Sequence, residues 1–183
     1  MRVYHIAPYK HGDIGGGINK HIDHLPADCW VCVRDQDTLL FPGQGRLIEK
    51  IVEANESRFN LITCRTNRIG VTSLNYDVNG FNDSNMNNHV HLASSLMDRY
   101  GTEVSTFPAP YPVPGMFMLF PRTLWRDVGG FKTHSIFFDQ IFTQKVREIG
   151  GRVGVAEGLF IFHLYRWGSP NPQYDADHLI NID

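Results

Sequence analysis

Short apolar runs alternate along the chain with amphipathic stretches, and this alternation sets the expected architecture. Residues 2–7 carry a strand-like pattern that Pro8-Tyr9 ends. Gly15-Gly16-Gly17 reads as a flexible turn, after which Ile18, Ile22 and Leu25 recur at helical spacing and predict a short helix closed by Pro26. Residues 29–34 form a β-branched apolar run, a buried strand that delivers the chain into Asp35-Gln36-Asp37. Pro42-Gly43 punctuates the sequence, and residues 45–55 then show a helical face of Leu47, Ile48, Ile51, Val52 and Ala54.

The second half continues the pattern. Residues 59–64 predict another strand. From Arg65 to Asp83 the pattern weakens among Asn, Gly and Asp, so a long loop or small hairpin is expected. Residues 84–100 read as a helix with Val90, Ala93, Leu96 and Met97 inward. Pro108, Pro110, Pro112 and Pro114 hold an extended segment. A strand over 115–120, a short helix over 121–127 and a helix over 136–149 follow, the last stopped by Gly150-Gly151. Two strands are expected at 152–156 and 159–163, with 164–183 a polar and aromatic covering tail. Strands alternating with helices mean an α/β layer sandwich. No internal repeat or low-complexity linker divides the sequence, so residues 1–183 are read as one domain.

Composition narrows this picture. The chain has 183 residues and is 42% hydrophobic, a length at which folding buries roughly 70% of the unfolded surface without help from disulfides. The formal net charge of −2 lacks the basic excess of a protein that mainly grips nucleic acid through phosphates. No apolar run approaches the roughly 20 residues of a membrane span. Cys29 and Cys32 have C-x-x-C spacing, but in a strand residues i and i+3 face opposite ways, so buried structural thiols in a reducing cytoplasm are expected.

The candidate chemistry comes from four places. Asp35 and Asp37 stand one residue apart at the C-terminal end of a buried strand, the edge of an open α/β sheet where ligands bind. Two carboxylates there suit a hard divalent cation; the plainer alternative is a solvated turn. Asp139 sits among Phe137, Phe138 and Phe142 at a helix start. It is either a first-turn acid that favours the helix or a general base held in an apolar wall. His163 ends a strand and can complete a metal site or serve the core; Arg166, three residues on, suits phosphate oxygens. Gly129-Gly130 allow close approach of a ligand or simply stop a helix.

Taken in order, Asp35-x-Asp37, Gly115-Met-Phe-Met-Leu-Phe120, Val128-Gly-Gly-Phe131, Phe137-Phe-Asp139 and His163-Leu-Tyr-Arg166 resemble the family 2 glycosyltransferases and their relatives of GT-A fold. The resemblance runs from about residue 2 to 166. It implies a three-layer sandwich with a mixed central sheet and a metal-dependent transfer of sugar from a nucleotide-diphosphate donor, such as a UDP-sugar. The acceptor would be a hydroxyl of a glycan or another molecule, and the expected course is inverting. By the same resemblance Asp35, Asp37 and His163 would hold manganese or magnesium, Asp35 also lying near the ribose. Asp139 would deprotonate the acceptor. Pro8 and Tyr9 would meet the nucleotide base, and Gly129 and Gly130 would border the sugar pocket, with Trp125 more a packing residue than a contact. Few residues separate the first strand from the D-x-D strand, so the unit family members usually carry there is lost or replaced, and Asn19 and Lys20 would substitute in holding the nucleotide. The rival readings are a metal-dependent phosphoester or nucleotide-sugar hydrolase and an inactive nucleotide-sugar-binding module. A nucleic-acid acceptor is disfavoured by the charge balance. The expected location is cytoplasmic, or peripheral to a membrane.

Overall fold

A computed structural model describes residues 2–77, 81 and 83–165 of the protein. It is an α/β structure built on one mixed, open, seven-stranded sheet flanked by helices. The strands are β1 (Val3–Ile6), β2 (Trp30–Arg34), β3 (Thr38–Leu39), β4 (Leu61–Thr66), β5 (Val104–Thr106), β6 (Phe117–Pro121) and β7 (Val153–His163). The helices are α1 (Ile14–Asp23), α2 (Gln44–Asn55), α3 (Met86–Tyr100), α4 (Arg122–Asp127) and α5 (Phe138–Glu148). In space the strands run β1-β2-β6-β4-β7-β3, with β5 also on β7. β1 is parallel to β2 and β4 to β7, whereas β6 runs antiparallel between β2 and β4.

The central strands are near-continuous apolar runs because they are covered on both faces. Val31, Cys32, Phe117, Leu119, Phe120, Leu61 and Ile62 are all buried. Phe142 of α5 packs its ring against Phe120 and stacks on Phe131, fixing the helix to β6. A smaller cluster lies under α3, where Ala93 and Leu96 meet Phe41, Phe160 and Phe162. Side chains alternate along a strand, so His163 faces away from this cluster. Cys29, Cys32 and Cys64 are free buried thiols, and burial pushes Cys32 up to about 12. No described helix is long and apolar enough to cross a membrane.

Five elements differ from expectation. Gly15-Gly16-Gly17 is the first part of α1 rather than a turn. Asp13 caps the helix by accepting the Gly16 amide N–H at 2.9 Å. The glycines serve packing: a Cβ on Gly15 would collide with the Lys132 carbonyl. The expected pair of C-terminal strands is the single strand β7, which bulges where the expectation placed a break. Cys64 pairs with Ala156 but the next residue, Arg65, pairs with Phe160, so Glu157, Gly158 and Leu159 are extra on β7. β3 and β5 were unforeseen, being two and three residues long with too little pattern to read. On α3, Val90 is exposed and His89 takes the inward position; its ring lies 4.6 Å from that of Phe162.

Candidate metal and acid cleft

The C-terminal ends of β2 and β7 meet at a cleft of about 220 Å³. Its wall includes Asp35, His163 and Asp139, residues that the sequence separates by up to a hundred positions or more. The remaining surface is mainly apolar, from Ile14, Ile69, Val71, Met116, Ile136 and Phe138.

Asp35 and Asp37 are set by a tight turn between β2 and β3. The Thr38 amide and hydroxyl both donate to the Asp35 carbonyl, at 3.3 and 2.6 Å. The Gln36 amide group donates to the Ala7 carbonyl at 3.1 Å, tying the turn to the end of β1. β3 then pairs antiparallel with β7, placing Thr38 opposite His163. The Leu164 amide donates to the Asp37 carbonyl at 3.0 Å. The ladder therefore delivers the imidazole to the two acids as a consequence of strand register.

One carboxylate oxygen each from Asp35 and Asp37 and one ring nitrogen of His163 lie within 4.8 Å of one another. His163 is 2% exposed, and its Nε2 lies 3.3 Å from Asp37 Oδ1. Its Nδ1 lies 2.9 Å from the Arg68 carbonyl. A carbonyl only accepts, so Nδ1 carries the hydrogen and Nε2 is directed at the acids. A ring nitrogen fixed this way is the usual arrangement of a metal-ligating histidine. Two oxygens and an imidazole nitrogen fit a divalent ion, so these residues can hold a metal.

The acids differ in their electrostatics. Burial pushes the Asp35 carboxyl up; the neighbouring His163 opposes this and Asp37 adds to it. Partial burial also pushes Asp37 up, but the His163 hydrogen bond and charge outweigh it and hold that carboxyl below its usual value. Asp139 lies across the cleft in the first turn of α5. Desolvation pushes it up to about 6, despite amide hydrogen bonds that favour the ionised form. Those come from Gly115 at 2.9 Å and Gln140 at 2.7 Å. Gly115 is needed there: a Cβ would sit 2.7 Å from the Phe138 ring.

The other expected residues stand elsewhere. Pro8 and Tyr9 follow β1, with Tyr9 largely exposed, and neither lines the cleft. Lys20 is exposed on α1. Asn19 is engaged in structure rather than turned to the cleft. Its side-chain oxygen accepts from Trp125 Nε1 at 2.8 Å and the Phe131 amide at 2.9 Å, while its nitrogen donates to the Phe131 carbonyl. Asn19 thereby clamps the turn at Gly129 and Gly130, whose φ of 75° and 73° suit glycine. Those two glycines close α4 and do not border the cleft. Trp125 is accordingly a packing residue. Arg166 and the rest of the tail after Tyr165 lie outside the described residues.

Two contributors went unread in the sequence. Asn67 is fully buried; its side-chain oxygen accepts the His163 amide at 2.7 Å and its nitrogen donates to the His163 carbonyl at 3.1 Å. Arg68 supplies the carbonyl that orients the imidazole. Both fall in the stretch expected to be loop, and the only signal was a polar pair directly following a buried strand. Compared with known protein families and with curated proteins, the chain matches none.

Proposed function

We propose that the protein is a metal-dependent glycosyltransferase of GT-A type that uses a nucleotide-diphosphate sugar. The observation that carries this reading is the convergence of Asp35, Asp37 and His163, with Asp35 and His163 lining a cleft that Asp139 also lines. The mixed sheet with flanking helices is compatible with that fold, and the order of motifs along the chain agrees with it.

Asp35, Asp37 and His163 would hold the cation, which when bound supplies positive charge to the diphosphate leaving group. Asp37 keeps its negative charge to low pH, as a ligand should. Asp139 is poised differently: a carboxyl titrating near 6 is ionised at neutral pH yet basic enough to accept a proton from a hydroxyl as it attacks. The Gly115 and Gln140 amides fix its two oxygens, so its position does not depend on substrate. The apolar wall from Ile14, Val71, Met116 and Phe138 limits water around the reacting centre. A single displacement inverts the anomeric centre, and a hydroxyl bound beside Asp139 is placed for it.

The test is a thermal-shift screen of nucleotide sugars with and without manganese. A matching donor raises the melting temperature only when manganese is present, because binding to the folded state stabilises it by mass action. Transfer to a hydroxyl acceptor should then be seen with that donor. No manganese-dependent shift with any nucleotide sugar, or full-rate release of free sugar without an acceptor, overturns the reading.

A further inference from the structure

A second site lies at the opposite end of β7. There Arg58, Arg147 and Arg152 line a cavity of about 370 Å³ with Phe59, Phe107 and Val153 beneath them. No acidic residue lines it. None of the three guanidinium groups forms an ion pair among the described residues. Arg58 lies over the Phe59 ring at 5.4 Å. Arg147 donates to the Pro108 carbonyl at 3.2 Å, and Arg152 donates to the Ser57 carbonyl at 2.7 Å. Each contact positions a guanidinium without neutralising it. Arg147 is partly buried, and desolvation lowers its pKa. Three like charges gathered over an apolar floor repel one another unless an anion joins them.

This cavity and the acid cleft each share lining residues with a third depression. The third depression is walled by the proline-rich segment 109–112 and by one stripe of α5, Gln140, Thr143, Gln144 and Arg147. That spacing of three, four and seven residues is a single helix face. Pro112 and Gln140 belong to both the cleft and the depression, and Ala109 and Arg147 belong to both the depression and the arginine cavity. The three cavities thus follow one another along α5, from Asp139 to Arg147. At about 1.5 Å of rise per residue, those two residues are about 12 Å apart along the helix. Glu148, the one acid lining the third depression, accepts a hydrogen bond from Gln144 at 2.8 Å.

We infer that these cavities form one groove that binds an extended, phosphate-bearing acceptor, with the reacting hydroxyl at Asp139 and a phosphate group held by Arg58, Arg147 and Arg152. Guanidinium forks match phosphate oxygens bidentately, and three of them suit one group of more than a single charge. That the ligand is an acceptor rests on the glycosyltransfer reading; that the arginine cavity takes phosphate does not.

The experiment is calorimetric titration of the whole chain with inorganic pyrophosphate in excess EDTA at fixed ionic strength, so that no metal at the acid cleft contributes. The wild-type protein should bind pyrophosphate. A double variant, Arg58→Gln with Arg152→Gln, should bind it about tenfold or more weakly, while its manganese affinity, measured separately, stays at the wild-type value. Arg58→Lys with Arg152→Lys keeps both charges and should recover part of the loss, which separates charge from folding. Absence of binding to the wild-type protein, or equal binding by the glutamine variant, overturns the proposal. A failure to find sugar transfer would remove the acceptor role and leave the titration result standing.

Discussion

The two sides of the cleft use the same side chain to opposite ends. Asp37 stands on the strand side, 46% exposed and beside His163, and its carboxyl is held low. Asp139 stands on the helix side, enclosed by Phe138 and the proline-bounded Gly115 turn, and is raised to about 6. Neither difference is visible in the residue type. The His163 interaction holds one aspartate low, and desolvation raises the other. The lesson is that the contrast between the two acids is set by what surrounds each of them, an imidazole at one and an apolar wall at the other.

The sharpest way to break this comparison is Asp139→Asn. Turnover should fall by about 10²–10⁴-fold, the usual worth of a positioned general base, with manganese binding unchanged by calorimetry. Normal turnover would remove Asp139 from the chemistry. Asp37→Ala should do the reverse, weakening manganese by roughly 100-fold because a ligand matters at least as much as its supporting shell; an unchanged affinity would sink the triad. Asn67→Ala should weaken manganese by about tenfold through a loosened His163, although Asn67 touches none of the three ligand atoms.

A pH profile sharpens the contrast further. The base must be ionised, so activity should rise as pH climbs through about 6, and should drop about tenfold for each unit below. In stability the sign is opposite. The folded value lies above the ordinary one, so this group's contribution is full below about pH 4 and is lost as pH rises through 6. The rising limb of activity should be absent from the residual rate of Asp139→Asn. The smallest effect on the site should come from Asn19→Ala. Chemical denaturation should show a loss of about 1–3 kcal/mol from unpaired buried groups, with manganese affinity unaltered. A change in nucleotide binding at constant stability would instead return Asn19 to the cleft.

The elements legible in the sequence were those with strong periodicity. β2, β4, β6 and α2 were expected within a residue or two because apolar runs and helical spacing report burial directly. The site was legible in part: Asp35, Asp37, His163 and Asp139 were each singled out, and the fold brings Asp35, His163 and Asp139 to one cleft with Asp37 beside the first two. Asn19 and the Gly129-Gly130 pair were read as ligand contacts because polar and glycine residues look alike in turns and in sites. Only the hydrogen bonds to Trp125 and Phe131 distinguish the two. Asn67 could not be read, since its role depends on meeting the backbone of a residue 96 positions away.

The bulge in β7 carries a consequence of its own. Glu157, Gly158 and Leu159 add three residues between two successive pairings with β4, and an odd number of added residues reverses which side of a sheet every later side chain occupies. Gly158 is pressed against the Gly101 backbone, with no room for a methyl group. Counting, more than composition, thus decides where the imidazole lands. A deletion here that slips the later ladder by one residue would turn His163 toward α3 and Phe162 toward Asp35 and Asp37, from a point well outside the cleft.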